Sequence, residues 1–185
     1  MVPLAALWLP IVLSAVIVFV ASSVMHTVLK YHNSDYRKLP DEEKIMAAMR
    51  PSNIPPGLYV FPHCTHKEMK SPAMMEKFKQ GPVGMLTMRP NGPPHMPKFL
   101  GQWFVFCLLV GTVAACLAGR VLGPGTPYMA VFHVVGLAAF LGYGLGHLSD
   151  GIWKGQTWSS VIKEVIDGLI YGLLTAGTFG WLWPR

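Results

Sequence analysis

Hydrophobic residues are concentrated at the N-terminus and in the C-terminal half of the chain. Residues 1–29 contain no charged side chain, and their core, 4–24, is rich in Val, Leu, Ile and Ala. An α-helix rises about 1.5 Å per residue, so about 20 such residues cross the roughly 30 Å hydrocarbon core of a bilayer. The apolar run is longer than that of a usual signal peptide and no Lys or Arg precedes it. We therefore expect an uncleaved transmembrane helix over 1–29.

The C-terminal region, 99–185, predicts three further membrane-spanning helices. Their expected bounds are about 99–118, 128–148 and 161–183. Gly and Pro residues in 123–127 indicate a tight turn, so the first two of these helices should form an antiparallel hairpin. The predicted fold is thus an all-α membrane protein with four transmembrane helices.

A polar insert, 30–98, separates the first and second predicted spans. Short helices are expected over 40–50 and 71–81, the second with Ser71 as its N-cap and Pro72 in its first turn. Segments 57–61 and 83–88 read as short strands between Pro and Gly residues. The insert is therefore expected to be a small mixed α/β unit. Two short strands are marginal alone, so it needs a membrane surface or a partner.

Composition supports a membrane protein and sets its expected orientation. Only 13% of the residues are charged and 52% are hydrophobic, whereas soluble domains carry about 25% charged residues. The formal net charge is +6, and the insert holds eleven Lys or Arg against six Asp or Glu. The positive-inside rule then places the insert in the cytoplasm and both termini in the periplasm. The excess of basic residues is explained without a nucleic-acid partner.

The densest set of potential metal ligands in the insert is His63, Cys64 and His66. Imidazole and thiolate ligands suit zinc, and copper also accepts them. No second Cys or His cluster completes a four-ligand site. A metal site and a solvated loop remain the two alternatives for this segment.

Three histidines in the predicted spans are candidate cofactor ligands. His133 and His147 are 14 residues apart, close to four helical turns, and His26 is expected at the depth of His147. A haem held by His26 and His147, or a chlorophyll-type pigment on one histidine, is the functional alternative. The simpler alternative is that each histidine forms a local hydrogen bond within the bundle.

Asp167 is expected to form an ion pair with Lys163, one helical turn earlier on the same predicted helix.

Three stretches of the chain resemble a group of small bacterial integral membrane proteins without an assigned activity. They are Ser34 to Pro40, Pro56 to His63, and Asp167 to Tyr171 continuing through Gly177 to Trp181. The resemblance covers most of the chain. It implies a bacterial inner-membrane location and carries no catalytic residues.

These features favour a non-catalytic accessory or assembly subunit of a larger bacterial membrane complex, respiratory or photosynthetic, that docks through the insert and through Gly-rich helix faces. The lipid bilayer and other membrane-protein subunits are its expected partners. The chain has no phosphate-binding loop, nucleophile elbow or zinc-protease motif. A haem- or pigment-binding membrane protein is the first alternative, and a small transporter is the second.

Overall fold

A computed structural model describes all 185 residues, and most of them are helical. The chain divides into two compact units, which are Met1–Tyr36 with His95–Arg185, and Arg37–Pro94. The α-helices are, in chain order, α1 Trp8–Thr27, α2 Glu42–Met49, α3 Pro72–Gln80, α4 Met96–Val121, α5 Tyr128–Tyr143, α6 Leu148–Trp153 and α7 Trp158–Trp181. The strands are β1 Gly57–Phe61 and β2 Gly84–Met88.

The first unit is a bundle of α1, α4, α5 and α7 with an interior of small and β-branched side chains. Such side chains let helix backbones approach closely where lipid supplies no hydrophobic drive for association. The fully buried positions include Ala15, Val18, Ala115, Ala118, Val131, Val135, Ala139 and Ala176. Phe179 is the largest fully buried side chain and lies in the same cluster as Val131 and Val135.

Three peripheral segments meet at one end of this bundle. The amide of Val2 donates to the carbonyl of Gly119 at 2.8 Å. The amide of Gly125 donates to the carbonyl of Pro184 at 2.9 Å, and the Trp183 indole N–H donates to the Gly123 carbonyl at 2.9 Å. The N-terminus, the α4–α5 loop and the C-terminus are therefore neighbours, as expected for consecutive helices that alternate in direction.

Three helical segments are long and apolar enough to cross a membrane: Leu4–Thr27, Met96–Val121 and Tyr128–Trp153. Four spans are not supported. The predicted fourth span does form a helix, α7, which is 24 residues long. Lys163, Glu164 and Asp167 in its N-terminal half lower its apolar character, and ionisable groups are expensive in hydrocarbon.

The outer surface of the candidate spans is apolar. On α1, Val12, Val16 and Val20 are between 41% and 55% exposed and follow one another at four-residue intervals. Residues four apart lie on one face of a helix. This face has the character of a lipid-contacting surface.

The predicted third span is interrupted. Helix α5 ends at Tyr143, and Leu145–His147 form a 3-10 turn before α6. Gly144 leaves the helix with φ −116° and ψ −58°. His147 therefore does not continue the helical face of His133, contrary to the 14-residue spacing argument.

The second unit, Arg37–Pro94, holds the two-stranded sheet with α2 and α3. The strands pair antiparallel with Gly57 opposite Met88 and Phe61 opposite Gly84. Ser71 caps α3 as predicted, because its hydroxyl accepts from the Met74 amide at 3.3 Å. Met74 is the one buried side chain among these 58 residues. The unit thus has almost no interior of its own.

Candidate functional site

A cluster of ionisable side chains lies where the C-terminus of α1, the following turn and the N-terminal half of α7 meet. His26 comes from the last turn of α1 and His32 from a 3-10 turn over Tyr31–Asp35. Their imidazole rings stack with centroids 4.5 Å apart and planes 6° apart. Asp167 of α7 contacts both rings, with its Oδ2 2.9 Å from His32 Nε2 and 3.8 Å from His26 Nε2.

A second carboxylate holds the other side of His32. Asp35 Oδ2 lies 2.7 Å from His32 Nδ1, and both side chains are less than 10% exposed. The Lys163 ammonium lies 2.6 Å from Asp35 Oδ1 and also donates to the Tyr31 carbonyl at 2.8 Å. Burial by itself raises the pKa of Asp35, but the hydrogen bonds and charges of Lys163 and His32 outweigh it and lower that pKa below its ordinary value. Asp35 is therefore an ionised acceptor.

This arrangement differs from the pairing expected from the sequence. Lys163 bonds Asp35, not Asp167 on its own helix. Asp167 instead faces the histidines across the interface between α7 and the end of α1. The i to i+4 spacing places two side chains on one helical face, but a neighbouring segment with a better acceptor can separate them.

A cavity of about 430 Å³ opens beside this cluster. Its size falls within the range of about 300–1,000 Å³ that is usual for small-molecule sites. Its walls combine apolar side chains from α4 and α5 with polar groups from α1 and α7. They are formed by Ser22, Ser23, His26, Thr27, Met96, Leu100, Trp103, Phe106, Tyr143, His147, Glu164, Asp167 and Tyr171.

Aromatic rings make one wall of the cavity rigid. Trp103 packs against Phe106, Tyr143 and Tyr171 with centroid distances of 5.5, 6.3 and 6.0 Å. The Trp103 indole N–H donates to the Ser22 hydroxyl at 2.8 Å, which ties α4 to α1. The Trp103–Tyr171 pair is edge to face and the other two are tilted, and these mutual ring contacts hold the wall in place.

Two oxygen atoms among the lining residues are buried without a hydrogen-bond partner. They are Asp167 Oδ1 and the Tyr171 hydroxyl. Both side chains come from α7, and the Tyr171 residue is 3% exposed. Buried polar groups in proteins are almost always satisfied. The Asp167 and Tyr171 side chains lie close enough to interact with each other, and a hydrogen-bonding group placed beside them would satisfy both.

The structure brings two of the three predicted cofactor histidines together. His26 and His147 both line the cavity. His133 is an exposed side chain of α5 whose ring contacts Phe132, and it is not among the lining residues. Cofactor binding by these histidines stays a prediction.

The loop with His63, Cys64 and His66 is shaped by a different interaction. The backbone N–H and hydroxyl of Thr65 donate to Glu68 Oε2 at 2.9 and 2.8 Å, and these bonds lower the pKa of Glu68. The two histidines are exposed and the cysteine is half-buried. The chain's one group of three potential ligands with their ligand atoms within 4.8 Å of one another is His26, His32 and Asp167.

Sequence reasoning missed His32 and Asp35. They stand three residues apart in a polar segment just beyond the first predicted span, where a histidine and an acid are usually solvated. A histidine followed three residues later by an aspartate was a signal for local pairing, but the partner on α7 lies 135 residues away.

The chain matches no protein-family model, no curated protein and no solved structure.

Proposed function

We propose that this protein is a multi-pass protein of the bacterial inner membrane that binds a small, mostly apolar molecule inside its helical bundle. The observation that carries the proposal is the cavity of about 430 Å³ with the buried, unpartnered Tyr171 hydroxyl among its lining residues. Aromatic and aliphatic walls suit an apolar body, and a few polar groups fix its orientation. The chemical class is therefore an apolar molecule that carries at least one hydrogen-bonding group.

In this proposal α7 crosses the bilayer with the other helices. At about 1.5 Å per residue its 24 residues extend about 36 Å. Its charged residues lie near the end of the bundle where α1 ends, and Trp183, just beyond its C-terminus, contacts the α4–α5 loop. The charge distribution of the sequence favours a cytoplasmic position for the insert, 30–98, and periplasmic termini.

A cavity-filling variant tests the proposal. Leu100 lines the cavity but is 43% exposed, so Leu100→Trp is expected to fill the cavity without disturbing the buried interior. The measurement is mass spectrometry of organic extracts from protein purified out of native membranes in mild detergent. A molecule enriched with the wild type should be lost from Leu100→Trp.

Leu109→Trp is the matched control. Leu109 lies on the same helix, is 59% exposed and does not line the cavity. It should retain the extracted molecule at the wild-type level. Equal extracts from the wild type and Leu100→Trp would contradict the proposal. An absorption spectrum of the same sample identifies a haem or chlorophyll-type pigment as the ligand by its Soret or chlorophyll band.

We also propose, as a second function, that the protein is an accessory subunit of a larger membrane complex. The supporting observation is the lack of an interior in Arg37–Pro94, where Met74 alone is buried. One face of its sheet presents Leu58, Val60 and Met85, which are 58%, 48% and 37% exposed. A polypeptide partner covering this face would supply the apolar contacts that the unit does not make internally.

Charge placed on this face should release such a partner. We expect Leu58→Lys to remove a stoichiometric chain that co-purifies with the wild type from native membranes. Met69→Lys is the control, because Met69 is exposed to 43% in the same unit but lies outside the strands. A wild-type protein that purifies without other chains would contradict the accessory role.

A further inference from the structure

The cluster of His26, His32 and Asp167 has the donor set and the hydrogen-bond pattern of a transition-metal site. Two imidazole nitrogens and one carboxylate face one another at one wall of the cavity, with their ligand atoms within 4.8 Å. We infer that these three side chains bind a divalent first-row transition metal ion such as Zn²⁺. The inference goes beyond the proposed function, because an ion can reside here whether or not an organic molecule fills the cavity.

The tautomers of both histidines follow from their partners at Nδ1. His26 Nδ1 lies 3.0 Å from the Ser22 carbonyl oxygen, which can only accept, so this nitrogen carries the proton. His32 Nδ1 lies 2.7 Å from Asp35, which the Lys163 ammonium keeps as an acceptor. In the neutral rings, both Nε2 atoms therefore present lone pairs toward Asp167.

Lone pairs that face a carboxylate require a cation between them. Asp167 Oδ2 is 2.9 Å from one Nε2 and 3.8 Å from the other, and Oδ1 is buried without a partner. A proton on His32 would satisfy one of these contacts. A metal ion would satisfy both rings and the carboxylate together, and Asp167 is only 3% exposed to solvent.

The spacing of the ligand atoms fits a metal of this size. Zinc bonds of about 2.0–2.2 Å to nitrogen and oxygen imply ligand separations of about 3.3–3.5 Å in a tetrahedron. The distances from Asp167 Oδ2 to His32 Nε2 and to His26 Nε2, 2.9 and 3.8 Å, bracket this value. Small side-chain rotations would bring them into range.

The groups behind the ligands complete the pattern. Metal-bound histidines usually donate their other ring N–H to a carboxylate or a backbone carbonyl, which fixes the ring and raises its basicity. His32 Nδ1 pairs with the Asp35 carboxylate, and His26 Nδ1 pairs with the Ser22 carbonyl. Asp35 is thus a positioning residue, itself fixed by Lys163. His26 and Asp167 both line the cavity, so a remaining coordination position would face it.

Metal content and a cobalt titration test the inference on the full chain in detergent micelles. Protein purified without chelators should contain one transition metal ion per chain by elemental mass spectrometry. Chelator-treated protein should bind one Co²⁺ and develop visible d–d absorption that Zn²⁺ abolishes. Absence of metal in the native protein, together with no absorption on adding Co²⁺, would overturn the inference.

Variants assign the binding to these residues. Asp167→Asn should weaken Co²⁺ binding by at least about 100-fold, and Asp35→Asn, which leaves all three ligands in place, by about 10- to 100-fold. His133→Gln is the control, because His133 is exposed and outside the cluster, and it should bind as the wild type does. Weakening by His133→Gln equal to that by Asp167→Asn would contradict the assignment.

The test is separable from that of the cavity ligand. Leu100→Trp changes neither a ligand nor a residue behind one, so it should keep its metal even where it loses the organic molecule. A wild type that yields no organic molecule but binds Co²⁺ would overturn the proposed function and support this inference.

Discussion

Gly168→Ala is expected to destabilise the bundle by about 3 kcal/mol, despite the better helix propensity of alanine. A Cβ at position 168 would overlap Gly144 Cα and would lie 2.6 Å from Gly144 N. Both atoms belong to backbone and cannot rotate away, so α7 and the end of α5 must separate. Because the separation also opens the cavity wall at Tyr143, the variant should lose the cavity ligand. The measurement is unfolding in mixed micelles titrated with a denaturing detergent.

Gly177→Ala is the matched control for this prediction. Gly177 lies on the same helix, and a Cβ there would meet only the Tyr128 hydroxyl, at an ordinary 3.6 Å. The control should be neutral, or more stable by up to about 1 kcal/mol from helix propensity. If both variants unfold at the same detergent fraction, the close approach at Gly168 does not limit the packing of α7 on α5.

Lys163→Met is expected to lower the free energy of unfolding by about 2 kcal/mol. The variant removes three hydrogen bonds, to Tyr31, Ser34 and Asp35, and leaves the Asp35 carboxylate buried without its cation. The turn over 31–35 is held to α7 by these bonds. Its release should also raise the exchange rate of the amides in this turn, measured by hydrogen exchange.

Lys154→Met provides the comparison. Lys154 makes an equally short contact with Asp150, at 2.6 Å, but its side chain is 56% exposed. Exposed pairs contribute at most about 1 kcal/mol, because water solvates both charges well.

The double variant Lys163→Met with Asp35→Asn should recover part of the loss in unfolding free energy caused by Lys163→Met, measured in chelator-treated protein. A loss equal to the sum of the single losses would show that the two side chains are not coupled.

The Gly-xxx-Gly pairs illustrate what local sequence can and cannot predict about helix packing. The sequence contains two Gly-xxx-Gly pairs, Gly142 with Gly146 and Gly168 with Gly172, and their spacing alone makes both suitable as helix-packing surfaces. Only the second packs as a pair: Gly168 meets Gly144, and Gly172 meets Phe140. Gly146 lies in the 3-10 turn, and a Cβ there would contact nothing within 4 Å. The spacing permits close packing, but the partner surface decides whether it occurs.

The sequence by itself determined α1, α2, α3, α4 and α7, the two strands, the cap at Ser71 and the presence of segments apolar enough to cross a membrane. These features depend on neighbours within a few residues and on uninterrupted runs of about 20 apolar residues, and both can be read from the sequence. The number of spans was not determined in this way: four were predicted, and three segments are long and apolar enough to cross a membrane.

Only the tertiary structure decided the composition of the candidate site. His32 and Asp167 meet across 135 positions, and Lys163 reaches Asp35 rather than its own helical neighbour. Such contacts depend on how α7 is oriented against the end of α1 and against α5, where Gly168 packs on Gly144 and Gly172 on Phe140. Helix propensities do not specify how one helix is oriented against another. The cluster of His26, His32 and Asp167 could therefore not be predicted from the sequence.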